Sequence, residues 1–246
     1  MHERSPRRVL ISGANRGLGL ALTRALLAEG ATVFAGHRDN SNTDALRALK
    51  TDHPATLVTI LLDVTSEGSR DRALRELAGH VDGIDLLINN AGIHSQSREL
   101  RPAQRNLVLG ELESTGLNAM LQTNAIAPLL LTQGMLPLLT RGHAPRVLNM
   151  SSRRGSLAAS TAGGNYGYCL SKAALNMASR ILATDLAARG IVVIAVHPGA
   201  VQTDMRSPDA CLTPAQSARA ILELTDTLGL SDAGQFYNWD GTVHPW

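Results

Sequence analysis

A tyrosine and a lysine four residues apart are the side chains in this sequence best suited to moving protons. Tyr168 and Lys172 belong to a stretch rich in Ala, Leu and Met, which favours a helix. Residues four apart on a helix share one face, so the phenol and the ammonium would lie side by side. The positive charge of Lys172 would lower the pKa of Tyr168 from about 10 and allow proton exchange near neutral pH. The spacing therefore predicts an acid/base site on this helix.

Two serines follow the strand that precedes this helix. The β-type run 147–150 ends at Ser151 and Ser152, where a hydroxyl could donate a hydrogen bond to a developing alkoxide. A Tyr-x-x-x-Lys spacing alone also occurs on many solvated helices. The acid/base interpretation therefore requires a cofactor site elsewhere in the chain.

A glycine-rich turn between a strand and a helix predicts that cofactor site. The β-rich run 8–12 leads into Gly-x-x-x-Gly-x-Gly from position 13, and a helical pattern follows over 20–29. Glycines let backbone amides approach a pyrophosphate at a helix N-terminus, where the helix dipole favours anions. The spacing differs from the commonest dinucleotide fingerprint, but the strand–turn–helix order favours nucleotide binding. The predicted contact residues are Gly13, Asn15, Arg16, Gly17, Leu18 and Gly19.

The end of the second predicted strand, 32–36, bears on the choice of cofactor. A carboxylate there would accept a hydrogen bond from a ribose 2′-hydroxyl, whereas a guanidinium would pair with a 2′-phosphate. His37 and Arg38 follow the strand, and Arg16 lies within reach in the glycine turn. The sequence therefore favours NADP(H) and leaves NAD(H) open. The alternative interpretation of Arg38 is a solvated loop charge.

Three more strands precede small, amide or acidic residues, and the run 147–150 supplies a further strand. The predicted strands, with the residues that follow each, are 55–62 before Asp63 and Val64, 84–88 before Asn89, Asn90, Ala91 and Gly92, and 191–196 before His197, Pro198 and Gly199. Helical patterns over 66–79 and from Tyr168 to about Arg189 separate the strands. This alternation predicts right-handed βαβ crossovers and a doubly wound parallel sheet with helices on both faces.

Composition fits one α/β domain over residues 1–246. The chain is 44% hydrophobic with a net charge of +2, which gives no reason to expect a nucleic-acid partner. Cys169 and Cys211 are isolated, so we expect free thiols in a reducing compartment and no metal site. Cys169 beside Tyr168 is either a reactive thiol or, as we prefer, a small packing residue. The polar start MHERSPRR lacks a secretory h-region, and we expect a cytoplasmic protein.

The segment Ser114 to Thr140 contains no charged residue. Its Asn, Gln and Pro residues argue against a membrane span and for one long helix buried between the sheet and another subunit. This segment would give a homodimer or homotetramer a surface for self-association.

Together, these motifs resemble the short-chain dehydrogenase/reductase family over essentially the whole chain. The matching residues are Ser12, Gly13, Gly17, Gly19, Asp63, Asn89 to Gly92, Asn124, Ser152, Tyr168, Lys172, Pro198, Gly199 and Thr203. The stretches GGNYGYCLSKAALNM, HPGAVQTDM and FYNWDGTVHPW are similar to the C-factor and sniffer-like carbonyl reductase branch.

The resemblance implies a seven-stranded Rossmann fold and hydride transfer between a nicotinamide and a carbonyl or alcohol carbon. It gives Tyr168 the proton transfer and Ser152 a hydrogen bond to the reacting oxygen. Lys172 would also hold the nicotinamide ribose, and Asn124 would anchor a water on a proton path from Lys172 to solvent. Asp63 would meet the adenine end. The other residues that it assigns to the cofactor are Val64, Asn90, Ala91, Gly92, Pro198, Gly199, Val201 and Thr203.

Some residue assignments stay open. Ser12 stands where the family usually has Thr, and the interval from Ser152 to Tyr168 is longer than in many members, so Ser151 or Tyr166 could replace a neighbour. We prefer Tyr168 because only it has a lysine four residues on.

The substrate and the function class also keep alternatives. Arg153, Arg154 and Arg206 suggest an acidic or phosphorylated small-molecule substrate, although solvated loop charges are the simpler interpretation. The alternatives to an NADP(H)-dependent carbonyl reductase are a nucleotide-binding regulatory or signalling protein of the same fold, and an enzyme with dehydratase or epimerase chemistry.

Overall fold

One parallel sheet of seven strands forms the centre of the computed structural model, which describes residues 6–39, 41–105, 107–202 and 211–246. The strand order is β3-β2-β1-β4-β5-β6-β7. The strands are β1 (Arg8–Ser12), β2 (Thr32–His37), β3 (Leu57–Leu61), β4 (Leu86–Asn89), β5 (Arg146–Met150), β6 (Val192–His197) and β7 (Phe236–Asn238). The predicted doubly wound α/β fold is confirmed.

Helices cover both faces of the sheet. They are α1 (Gly17–Ala28), α2 (Asp44–Asp52), α3 (Glu67–His80), α4 (Ser114–Leu121), α5 (Ala127–Leu139), α6 (Tyr166–Ala187) and α7 (Pro214–Thr227). Side chains alternate along β1, so Val9 and Ile11 pack in a core with α1 and α7, whereas Leu10 packs in a second core with α3 and α5. The two cores fix the sheet between two helical layers, and the carboxyl ends of all its strands meet at one edge.

The uncharged segment departs from the prediction of one regular helix. Residues 122–126, between α4 and α5, form a π-helical segment. Pro128 follows at the start of α5 and has no N–H to donate to the carbonyl oxygen of Asn124, which removes one α-helical hydrogen bond there. Within the described ranges, the structure contains no helix with both the length and the apolar character that a membrane crossing requires.

Three elements carried no recognised signal in the sequence. Helix α2 has one fully buried side chain, Leu46, and β7 is three residues long. Helix α7 carries a signal that was not recognised, because it begins with a capping box in which the Thr213 hydroxyl accepts a hydrogen bond from the Gln216 N–H at 3.2 Å. The helix boundaries elsewhere lie within a few residues of those predicted.

Candidate active site

The glycine turn between β1 and α1 is closed by close backbone contacts. Gly13 and Gly17 have φ values of +67° and +53°, and a Cβ on Gly19 would lie 2.2 Å from the Gly13 carbonyl oxygen. Asn90 donates from Nδ2 to the carbonyl oxygens of Ser12 and Gly13, each at 3.0 Å. Asn90 therefore holds the turn in shape.

The Ser12 hydroxyl connects the end of β1 to the segment after β4. It accepts hydrogen bonds from the backbone N–H groups of Asn90 and Ala91, both at 3.0 Å. These bonds tie the end of β1 to the end of β4. A Cβ on Gly92 would lie 3.1 Å from Asn124 Oδ1, so the chain passes close to the buried amide there.

The start of α1 fits an anionic ligand. Among the residues that the structure describes, no side chain caps this N-terminus, and the first turn holds no acidic residue. Its amide groups and the helix dipole therefore favour a pyrophosphate at Gly17. Asn15 donates to the Asn42 carbonyl oxygen at 3.0 Å, while Leu18 packs against the core.

The two arginines predicted to meet a 2′-phosphate converge on one carboxylate. Arg38 Nη2 lies 2.6 Å and Arg16 Nη2 lies 3.8 Å from the same oxygen, Glu99 Oε1. Burial alone would raise the pKa of Glu99, but the Arg38 hydrogen bond and the two positive charges outweigh it and lower that pKa. His37 Nδ1 lies 3.0 Å from the Arg38 carbonyl oxygen. No motif in the sequence indicated Glu99.

Asp63 and Val64 form a turn after β3. Asp63 Oδ1 accepts from the backbone N–H of Thr65 at 2.9 Å and from its hydroxyl at 2.7 Å. Arg70 donates to the Val64 carbonyl oxygen at 2.8 Å. The Asp63 carboxylate therefore closes its own turn at the edge where the adenine end was predicted.

Helix α6 brings Tyr168 and Lys172 together as predicted. Lys172 is 6% exposed and donates from Nζ to the Met150 carbonyl oxygen at 2.6 Å. Its Nζ lies 5.8 Å from the centroid of the Tyr168 ring. Burial lowers the pKa of Lys172 to about 8, so its ammonium is held at the cost of lost hydration.

The structure contradicts the predicted lowering of the Tyr168 pKa. Burial raises the pKa of Tyr168, and neither the interaction with the Ser152 hydroxyl nor the charge of Arg154 offsets that effect. Lys172 directs its hydrogen bond to main chain at the end of β5. The protonated phenol is therefore the favoured form of Tyr168.

The geometry separates the two candidate serines. Ser151 donates to Asn176 Oδ1 at 2.5 Å, whereas the Ser152 hydroxyl interacts with Tyr168. Ser152 also accepts from the Arg154 N–H at 3.2 Å. The structure thus brings Ser152 to the phenol and gives Ser151 a partner on α6.

Gly155, which sequence reasoning missed, permits this arrangement. A Cβ at Gly155 would lie 2.7 Å from the Lys172 carbonyl carbon and 2.9 Å from its Cβ. Only a residue without a side chain lets the turn after Ser152 pack so closely on α6. The signal was a lone glycine three residues after the serine.

The π-helical segment places Asn124 in the interior beside Lys172. Asn124 is fully buried, and its Oδ1 accepts from the Ile93 N–H at 2.8 Å. Its Nδ2 donates to the Ile93 carbonyl oxygen at 2.7 Å and to Ser171 Oγ at 2.9 Å. These contacts fix Asn124 between the loop after β4 and helix α6.

Apolar and aromatic groups contact the Tyr168 ring. His94 meets it edge-on with ring centroids 6.3 Å apart, and the ring packs against a small cluster of Ile93, Leu100 and Met120. His94 is a second residue that sequence reasoning missed, because it belongs to no motif. The cluster explains why burial dominates the pKa of Tyr168.

The turn after β6 is held by α7 and by an aromatic ring. Ser217 donates to the Pro198 carbonyl oxygen at 2.7 Å, and Gly199, at φ +85°, faces Trp239 closely enough that a Cβ would lie 2.8 Å from the ring. Val201 pairs with Leu212 in an isolated parallel bridge. Thr203 and Arg206 lie outside the described residues.

The fold and the site together define a class of protein. A glycine turn shaped for a pyrophosphate and a Tyr–Lys–Ser group lie at the carboxyl edge of one parallel sheet, as in Rossmann-type oxidoreductases that use a nicotinamide dinucleotide. A family model described as short chain dehydrogenase matches residues 7–210, and the chain belongs to this family. It is thus an oxidoreductase of C=O and CH–OH groups.

Similar proteins include both enzymes and a signal protein. The chain is 43% identical over 163 residues to the C-signal of Myxococcus xanthus, an alignment that covers 66% of this chain and 93% of that protein. An NADPH-bound carbonyl reductase from chicken fatty liver superposes with a TM-score of 0.88 at 34% identity, covering 99% of this chain and 100% of the other. The carbonyl reductase Sniffer of D. melanogaster gives 0.88 at 32% identity, with coverage of 98% and 100%.

Proposed function

We propose that this protein is an NADP(H)-dependent carbonyl reductase that interconverts a ketone or aldehyde with its alcohol. The observation that carries the proposal is the convergence of Ser152, Tyr168 and Lys172 at the same carboxyl edge of the sheet as the glycine turn. The likeness to two carbonyl reductases, one of them bound to NADPH, supports the same activity.

The predicted cofactor residues fit a nicotinamide dinucleotide phosphate. The glycine turn and the start of α1 would hold the pyrophosphate, and Arg16 and Arg38 would hold the 2′-phosphate, since their guanidiniums already meet at one anionic oxygen. The bound cofactor supplies or accepts the hydride.

Tyr168 and Ser152 would manage the charge on the substrate oxygen. The raised pKa of Tyr168 keeps its proton available for donation to a carbonyl oxygen that becomes an alkoxide. The Ser152 hydroxyl, next to the phenol, would donate a second hydrogen bond to that oxygen. Both groups therefore act on the same developing charge.

Lys172 would keep a positive charge close to Tyr168 and contact the ribose of the cofactor. With its pKa near 8, it can also release and regain a proton close to neutral pH. Asn124, held by three hydrogen bonds, would anchor the route by which that proton reaches solvent. These roles are carried over from the family and remain proposals.

The test replaces the phenol alone. We expect Tyr168→Phe to lose at least about 1,000-fold in NADPH oxidation with aldehydes, ketones and quinones, because the variant lacks the hydroxyl that would supply the proton. NADPH binding, followed by cofactor fluorescence, should persist. Tyr166→Phe, two residues earlier on α6, is the matched control and should stay active. An unchanged rate in Tyr168→Phe would remove Tyr168 from the mechanism.

A nucleotide-binding signalling role is the second candidate. Its support is the 43% identity to C-signal. The proximity of Ser152 to Tyr168 in this chain favours turnover. Tight NADPH binding by the wild type without turnover of any carbonyl compound in the panel would reverse that preference.

Substrate and setting stay predictions from the sequence. The charge of Arg154 acts on Tyr168, which keeps an acidic substrate as a hypothesis. The cytoplasmic location and the homodimer or homotetramer likewise stay predictions.

A further inference from the structure

The Glu99 carboxylate occupies the position between the two guanidiniums that the proposed function reserves for a phosphate. Both cations approach one oxygen, Oε1, with Arg38 at 2.6 Å and Arg16 at 3.8 Å. The Glu99 side chain is 27% exposed, less than either arginine. The carboxylate is therefore partly shielded from water, where its electrostatic interactions are stronger than at an open surface.

The loop after β4 holds Glu99 in this place. Its neighbour Leu100 is 6% exposed and lies in the apolar cluster beside Tyr168. The Ser97 hydroxyl accepts a hydrogen bond from the His94 N–H at 2.8 Å. The Ser97 carbonyl oxygen accepts one from the Leu100 N–H at 3.0 Å. Buried contacts on both sides of Glu99 thus direct its carboxylate toward the arginines.

We propose that Glu99 is a specificity-determining residue that competes with the cofactor 2′-phosphate for Arg16 and Arg38. The inference rests on the proposed function, because it assumes that these arginines bind NADP(H). A 2′-phosphate carries close to two negative charges, which two guanidiniums can balance. Glu99 adds a third negative charge to the same site, which leaves an excess of negative charge and weakens phosphate binding.

The competition acts on only one of the two nicotinamide cofactors. NAD(H) has no 2′-phosphate, so its binding leaves the ion pairs of Glu99 intact. Glu99 therefore moderates the preference for NADP(H) over NAD(H) that the arginines create.

Glu99→Gln tests this competition, because it removes the charge and keeps the shape. We expect the Kd for NADPH to fall roughly three- to tenfold, since a partly exposed ion pair contributes up to about fivefold and the lost repulsion adds to it. The Kd for NADH should change less than about twofold, which also reports that the variant is folded. Both are measured by cofactor fluorescence titration at low ionic strength, and the gain for NADPH should shrink as salt is added.

Two further variants serve as controls. Glu99→Asp keeps the charge and should stay closer to wild type than Glu99→Gln does. Glu223→Gln removes an exposed carboxylate that pairs with Arg219 at 2.9 Å on α7, and it should leave both dissociation constants unchanged.

The possible results separate this inference from the proposed function. Unchanged or weaker NADPH binding in Glu99→Gln would overturn the competition, and equal tightening for NADPH and NADH would do the same. A wild-type protein that binds neither nucleotide would overturn the cofactor assignment and this inference together. NADPH binding without turnover would contradict the reductase, and the same titrations would still decide the role of Glu99.

Discussion

Replacing the buried lysine should change how stability depends on pH. The pKa of Lys172 falls from 10.5 to about 8 in the folded protein because of burial. Each pKa unit of that fall corresponds to about 1.4 kcal/mol of free-energy difference between the charged and neutral forms. Burial therefore penalises the ammonium by about 3 kcal/mol. Lys172→Met removes the titrating group and, with it, this dependence.

The direction of the effect follows from the protons bound in each state. Between about pH 8 and pH 10.5 the unfolded chain keeps the Lys172 proton and the folded protein releases it, so the free energy of unfolding rises with pH. Relative to Lys172→Met, we expect the wild type to gain about 2 kcal/mol between about pH 7 and pH 9.5. The absolute offset also contains the lost bond to the Met150 carbonyl oxygen, so only the pH dependence is diagnostic.

The assay is urea unfolding, followed by tryptophan fluorescence, of both proteins across this pH range. Lys50 is the other lysine of the chain, and Lys50→Met is the control that should run parallel to wild type. A constant difference between wild type and Lys172→Met over the whole range would refute the idea that burial penalises this ammonium.

Two further predictions concern the packing of α6. Gly155→Ala should lower kcat by roughly 10- to 100-fold with cofactor binding kept, because its Cβ would lie 2.7 Å from the Lys172 carbonyl carbon and displace the turn after Ser152. Gly163→Ala is the control, because a Cβ there would meet nothing within 4 Å. Equal kinetics of the two variants would contradict the argument. The side chain of Met177 is 60% exposed on α6. If this face of α6 joins two subunits, Met177→Lys should reduce the mass measured by sedimentation. A wild-type protein that is already monomeric at micromolar concentration would exclude such an interface.

The sequence predicted the features that repeat along the chain or form compact motifs. Buried β-branched and leucine-rich runs indicated six strands, and the glycine turn and the Tyr–Lys spacing indicated the edge of the sheet where the site lies. The seventh strand is three residues long, too short for an alternating pattern, and was expected only from the family resemblance.

The features that the sequence did not reveal depend on contacts between distant segments. Glu99 meets Arg38 across 61 residues, and Asn176 fixes Ser151 across 25 residues, so no local pattern could indicate either. The pKa of Tyr168 was expected to fall because the sequence shows the charge of Lys172 but not the surroundings of the ring. Burial, which is known only after folding, dominates that pKa.

The π-helical segment makes the site sensitive to chain length. Residues 122–126 fit more residues into a turn than an α-helix does, and Asn124 reaches the interior through this segment. Deleting a single residue there would allow a regular α-helix and would remove the wider turn that places Asn124 in the interior. An exposed side chain such as Ile126 can change without that effect. The site therefore depends more on the number of residues in this segment than on their identity. An insertion or deletion within 122–126 should disrupt the site at positions where a substitution leaves it intact.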